Sequence, residues 1–322
     1  MKKIICLSVT LSLFLTVCSA CSEADKTKSA KKEIVVTNFA EYDWVRSIVG
    51  SDDVFEITML GGGVDLHSYQ PSAADIITIT DCDIFVYVGG ESDKWVGDVL
   101  GGQHNENMEI LNLIDILGEN VRTEEHIEGM QEEHSHDEEE DNEEEFDEHV
   151  WLSLKNSMIF CDSIEAVLEK LDPDNKDVYK NNLDNYKEKL ADLDNRYSET
   201  AGNAKRNVLL FGDRFPFRYM TEDYDLEYYA VFSGCSAETE ASFETITFMA
   251  KKIDELSLNC VMTIEGSDKK LAKTIIENTK TKSQEILTLN SMQSVTLTDI
   301  EGGESYLQVM EDNLSVLTKA LN

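Results

Sequence analysis

Two histidines stand where an α/β scaffold would offer them to a ligand. His67 lies in "GGGVDLHSYQPSAADI", after a β-branched run and before a helix-like one. Glycines let the backbone turn there, and the histidine projects from the carboxyl end of a strand, the place where open α/β sheets bind ligands. His149 closes the run "HIEGMQEEHSHDEEEDNEEEFDEHVW", just before the helix that "VWLSLKNSMIFCDSI" begins. A lone loop histidine is ordinarily a surface residue. Two of them on adjacent loop-to-helix junctions, with a histidine-rich loop running into one, point instead to a divalent-cation site, because imidazole is a favoured zinc ligand. Residues 123–148 hold 15 acidic side chains and three histidines, His126, His134 and His136, with no lysine or arginine. So much like charge with so few apolar residues predicts a disordered loop. A cloud of carboxylates and imidazoles beside His149 would concentrate divalent cations at a cleft mouth, an auxiliary and weak metal-collecting role.

The composition bounds the partners. The chain has 322 residues, room for two ordinary domains. Its 64 acidic against 28 basic residues give a net charge of −36, which argues against nucleic acid and suits a cationic partner. The opening "MKKIICLSVTLSLFLTVCSAC" has two lysines, an apolar run and then small residues, the pattern of a secretory signal. The apolar run is shorter than the roughly 20 residues of a membrane span. Its end resembles a bacterial lipobox, with Cys21 as the residue to be lipidated and Cys18 as the alternative. The polar stretch to residue 32 reads as a tether. An extracytoplasmic protein anchored to the cell membrane by lipid is therefore expected. Cys82, Cys161, Cys235 and Cys260 show no Cys-x-x-Cys spacing. In an exported protein Cys235 and Cys260, which flank one predicted helix, are the pair to test for a disulfide, with buried thiols as the alternative.

The elements that must position the histidines follow from periodicity. Short β-branched or aromatic runs at 33–39, 54–60 and 84–90, with a fourth apolar segment at 108–117, alternate with helices in the first half. The helix of "PSAADIITITDC" is opened by Pro71 and Ser72. Runs at 207–213, 227–233, 260–266 and 285–291 repeat the style in the second half. The chain closes on a helix with Tyr306, Met310, Leu314, Leu317 and Leu321 on one stripe. Strands alternating with helices imply two α/β lobes with mainly parallel sheets. Between them, Asp172 can cap a helix that Pro173 begins. Tyr179, Leu183, Tyr186, Leu190, Leu193 and Tyr197 then recur at helical spacing, one apolar stripe suited either to a coiled-coil arm or, as preferred here, to a strut packed against both lobes.

With these residues in view, the sequence resembles the metal-binding lipoproteins of bacterial ABC importers for zinc and manganese. "HSYQPSAADI" is similar to the family's first ligand motif, "DEHVWLSLKN" to its second, and "LDPDNKDVYKNNLDNYKEKLADLD" to the opening of its linking helix. The resemblance covers nearly all of the chain from about residue 33. It implies two α/β lobes joined by one long rigid helix, a metal site in the interlobe cleft, and His67 and His149 as ligands. The expected layout is a signal peptide 1–20, a tether 21–32, a first lobe 33–172 containing the loop 123–148, a linking helix 173–203 and a second lobe 204–322. The second lobe departs from the family pattern, since no histidine follows His149. Asp213, ending a predicted strand in "LLFGDRFPFRYM", is the expected third ligand, because the neighbouring Arg214 has no acceptor atom. Glu265 is expected to bind directly or to orient a ligand, and Asn290 offers a weak neutral oxygen.

The resemblance thus implies a monomeric zinc receptor that delivers its ion to an ABC permease and binds no nucleic acid, with manganese as the alternative metal. Competing readings are a metal-dependent hydrolase, a receptor for an organic metal chelate, and a surface adhesin or metal scavenger without a transporter. Against an enzyme, the sequence has neither a His-Glu-x-x-His helix nor a nucleophile elbow.

Overall fold

The computed structural model describes residues 31–51, 53–131, 145–236 and 240–322. The first lobe is built on strands β1 (Lys32–Val36), β2 (Phe55–Met59), β3 (Ile84–Tyr87) and β4 (Glu109–Asn112), and the second on β5 (Val208–Phe215), β6 (Glu227–Ser233), β7 (Cys260–Ile264) and β8 (Glu285–Leu289). The helices are α1 (Phe39–Val49), α2 (Ala73–Asp81), α3 (Trp95–Leu100), α4 (Leu113–Leu117), α5 (Leu154–Leu171), α6 (Lys176–Gly202), α7 (Arg218–Asp223), α8 (Phe243–Leu256), α9 (Lys270–Glu277), α10 (Leu297–Glu301) and α11 (Tyr306–Leu321). The sheets run β2-β1-β3-β4 and β6-β5-β7-β8, every pairing parallel, so the two lobes share one strand order. In such a sheet the crevice lies beyond the carboxyl ends of the strands, where the order reverses.

Local chemistry sets the element boundaries. Ser72 caps α2 by accepting the Asp75 N–H, and the Asp75 carboxylate takes the Ser72 N–H in return. The run at 108–117 divides into β4 and α4, because the Asn112 side chain accepts the Asp115 N–H and caps a new helix. The start of α6 corrects the expected one. Pro173 begins no helix. The Asp172 carboxylate accepts from the Asn175 side chain at 2.7 Å and from the Tyr179 hydroxyl at 2.6 Å, which closes a turn, and the helix starts only at Lys176.

All six stripe residues of α6, from Tyr179 to Tyr197, are buried. The helix packs on α1 and α5 of the first lobe and on α11 of the second, the strut arrangement. Tyr197 donates to the Met310 carbonyl at 2.7 Å. One apolar cluster runs from Ile34 of β1 through Trp44, Phe160 and the α6 stripe to Tyr306 and Leu321 of α11. Across the seam Trp151 Nε1 donates to the Ser291 carbonyl at 2.9 Å, and the Tyr306 hydroxyl to the Trp151 carbonyl at 2.7 Å. The lobes therefore share a core as well as a strut. Among the described residues no helix is long and apolar enough to cross a membrane.

Candidate metal centre

His67 and His149 meet. His67 lies in a short 3-10 turn after β2, with its N–H capped by the Asp65 carboxylate at 3.1 Å. His149 precedes the 3-10 turn Val150–Leu152 that leads into α5 and is fully buried. Their Nε2 atoms are 3.2 Å apart.

Each ring is held from behind. The Nδ1 of His149 is 3.0 Å from Asp147 Oδ1, and the same oxygen accepts the His149 N–H at 2.9 Å. The Nδ1 of His67 is 2.7 Å from Ser92 Oγ, whose hydroxyl donates to Glu148 Oε2 at 2.5 Å. The other oxygen of Glu148 accepts the Ser92 N–H at 2.7 Å. A hydroxyl has one proton. With it directed at Glu148, Ser92 accepts from His67 Nδ1–H. Asp147 likewise takes the proton of His149 Nδ1. Two unprotonated Nε2 lone pairs are then aimed at each other, an arrangement that calls for a proton or a cation between them. The separation is close to the edge of about 3.3 Å that two nitrogens span in a zinc tetrahedron.

The electrostatics agree. Burial, with the charge of His149 added, pushes His67 down to about 3. Burial opposes protonation of His149, but Asp147, Glu124 and Glu148 together raise this imidazole. Burial raises Glu148 against its two bonds from Ser92. Glycines make the approach possible. A Cβ on Gly90, where φ is +82°, would stand 2.5 Å from Glu148 Oε1, and one on Gly234 would stand 2.9 Å from His149 Cε1.

Among the described residues, neither Asp213 nor Glu265 joins the histidines in a group of ligand atoms within 4.8 Å, and Asn290 is engaged by its own loop. Asp213 and Glu265 line a neighbouring cavity of about 540 Å³, together with Asp65 and Arg214. The Asp213 carboxylate accepts the N–H of Arg214 at 3.0 Å and of Ile264 at 3.5 Å. Glu265 accepts from the N–H and hydroxyl of Ser291 at 2.7 and 2.6 Å and from the Gln293 N–H at 3.2 Å, so it fastens the loop after β8. Asn290 Oδ1 takes the Met292 N–H at 2.8 Å. The guanidinium of Arg214 pairs instead with Asp65 of the first lobe at 2.7 Å.

The residue that joins the two histidines is Cys235. Among the described residues, these three form the group of potential ligands whose atoms all lie within 4.8 Å of one another. From the sequence, Cys235 reads as a disulfide partner of Cys260 or as a buried thiol, and not as a ligand. Both are free thiols, and the Cys260 sulfur sits in the core near the Ala320 carbonyl. Ser92, Asp147 and Glu148 were also missed. The spacing Asp147-x-His149 and the glycine after the β6 run were the available signals.

Both ends of the segment 123–148 are ordered, which corrects the expectation of disorder throughout. Thr123 and Phe146 form an antiparallel bridge, Gln131 N–H donates to the Val231 carbonyl at 2.8 Å, and Met130 is buried. Backbone pairing there outweighs the like charge. His126 is exposed. His134 and His136 lie outside the described residues, as do Cys21, the signal and the tether up to residue 30; Lys32, expected at the end of the tether, instead begins β1.

The chain matches the family described as ZnuA, zinc-uptake complex component A, periplasmic, over residues 34–320, and it belongs to that family. It is 31% identical over 98% of its length to the zinc-binding lipoprotein AdcA of Streptococcus pneumoniae, of which the match spans 60%. It is 28% identical to the high-affinity zinc uptake system protein ZnuA of Bacillus subtilis, covering 98% of this chain and 97% of that one. Among solved structures, the Zn(II)-bound ZnuA-like domain of S. pneumoniae AdcA superposes with a TM-score of 0.69 at 26% identity, over 90% of this chain and 99% of that one. The metal-dependent lipoprotein YcdH of B. subtilis gives 0.72 at 25% identity over the same shares.

Proposed function

We propose that this member of the family is an extracytoplasmic receptor that captures zinc between its lobes and delivers it to an ABC permease. The observation that carries the reading is the pair of Nε2 atoms 3.2 Å apart, each ring fixed by a partner on its far side. His67 and His149 are the ligands from the first lobe. Asp147, Ser92 and Glu148 fix their tautomers, an arrangement typical of zinc-bound imidazole. Asp213, Glu265 and Asn290 act on the second lobe's loops and not on the ion. The relatives named for zinc, with two nitrogens already aimed at one point, favour zinc over manganese.

The working form is a monomer held at the membrane through a lipid on Cys21. It transports and does not catalyse. Its remaining acidic segment gathers cations weakly. Residues 132–144 carry nine carboxylates and two histidines, and their removal should leave one tight site and abolish the weak ones.

Metal analysis of protein purified without added metal, followed by competition titration of zinc and manganese, tests the reading. One tightly bound zinc per chain is expected. Equal or tighter manganese binding would make it a manganese receptor, and no tight site would end the proposal.

A further inference from the structure

We infer that the Cys235 thiolate is the second lobe's ligand to the bound metal. The inference deepens the receptor reading and rests on it.

The topology brings the residue there. β2 and β6 hold the same place in their sheets, each being the second strand in sequence and pairing with the first. The loop after β2 carries His67. The loop after β6 carries Gly234 and Cys235. The two loops thus face each other from equivalent carboxyl ends.

Gly234 sets the approach. A Cβ there would lie 2.9 Å from His149 Cε1 and 3.1 Å from its Nδ1, so the backbone passes this close to the imidazole only without a side chain. The next residue is thereby delivered to the ring edge. The Cys235 N–H donates to Glu124 Oε1 at 3.1 Å, and the Glu124 N–H donates to the Glu145 carbonyl at 2.7 Å, so ordered backbone pins the turn. The sulfur is in no disulfide.

The distances suit a metal. One ring nitrogen of each histidine and the sulfur all lie within 4.8 Å of one another. A nitrogen–sulfur edge of a zinc tetrahedron is about 3.5 Å, so the thiol needs to shift by little more than about 1 Å. No described Asp, Glu or other His joins both histidines at this range. The carboxylates that could have served are engaged by backbone N–H groups, Asp213 by strand amides of Arg214 and Ile264 and Glu265 by the loop amide of Ser291. On binding, the S–H bond breaks, a metal–sulfur bond forms, and the proton passes to the buffer; nothing is oxidised or reduced. Two imidazoles and one thiolate form a softer set than two imidazoles and a carboxylate, and so favour zinc over manganese.

Cobalt(II) replaces zinc in such sites and reports its donors. Wild type loaded with cobalt should show tetrahedral d–d bands and a near-ultraviolet sulfur-to-cobalt charge-transfer band. Cys235→Ser should lose the charge-transfer band and bind zinc more weakly by about 100-fold or more, beyond what loss of an outer partner does. Cys235→His should keep d–d bands and tight zinc without the charge-transfer band, which guards against a variant that merely misfolds. Tetrahedral cobalt in wild type without a sulfur band would overturn this inference and leave the receptor reading standing. Absence of any tight cobalt or zinc site in wild type would overturn both.

Discussion

The two lobes share a strand order and differ in how they use it. At the carboxyl ends of β2 and β3 the first lobe builds a site in depth, with each imidazole facing the cleft and a Ser92–Glu148 or Asp147 partner behind it. Near the carboxyl ends of β5 and β7 the second lobe directs its carboxylates into its own backbone, with Asp213 on Ile264 and Glu265 on the loop 291–293. In the first lobe each partner behind a ring leaves its other nitrogen turned to the facing histidine, whereas in the second lobe the carboxylates accept backbone N–H groups. The turn after β8 is fastened by Glu265.

The largest effect should come from the paired rings. His149→Ala or His67→Ala should weaken zinc by more than about 100-fold, since each loss exceeds that of an outer partner. Calorimetric titration measures it. Wild-type affinity in either variant would remove the first lobe from the metal site and dissolve the contrast between the lobes.

This much of the site was legible in the sequence. His67 and His149 stand at loop-to-helix junctions, which open α/β sheets turn toward the crevice, so their meeting could be expected from the sequence. The six-residue stripe on α6 was legible too, since helical spacing alone decides its face. The second lobe was not, because which of two adjacent loops closes on the first lobe is a tertiary fact. Asp213 and Cys235 both follow strand-like runs, and only the packing of β6 against His149 through Gly234 separates them. The start of α6 failed more locally, where the bonds of Asp172 to Asn175 and Tyr179 overrode the helix-opening tendency of Pro173.

The partners behind the rings come next. Asp147→Asn and Ser92→Ala should each lower zinc affinity by about 10- to 100-fold with the ligands intact. Gly234→Ala should do likewise by crowding the His149 ring and the Phe215 carbonyl, although it deletes no polar group. If these three bind like wild type, the ring positions are fixed by packing alone, and the first lobe's depth is not what distinguishes it.

The same depth leaves a mark on stability. Asp93 lies under this network with only 3% of its surface exposed. Burial pushes it up to about 7; the Gly89 N–H opposes the shift and Glu148 adds to it. The folded state thus holds a proton that the unfolded chain releases near pH 4. Its contribution to stability is complete below that pH and is lost as pH rises toward 7. A difference of about three units corresponds to on the order of 4 kcal/mol. Asp93→Asn keeps an oxygen for the Gly89 N–H and should flatten the decline between pH 4 and 7 in urea unfolding of metal-free protein. An unchanged slope would place the titration elsewhere.

The smallest effect should fall on Asp213. Its carboxylate accepts the Arg214 and Ile264 N–H groups beside a guanidinium that is itself paired with Asp65, so it belongs to the frame of the cleft. Removing it frees two weakly held amides in a water-accessible cavity and takes nothing from the ion. Asp213→Ala should therefore change zinc affinity by less than about threefold, the range of an ordinary exposed substitution. Asp213→His should give no gain, because the new imidazole would start from a strand end whose side chain turns toward Ile264 and not toward His149. Competition titration of both variants against wild type decides. A tenfold loss in the alanine variant with a matching gain in the histidine variant would restore Asp213 as the ligand, and the two lobes would then be using their strand ends alike.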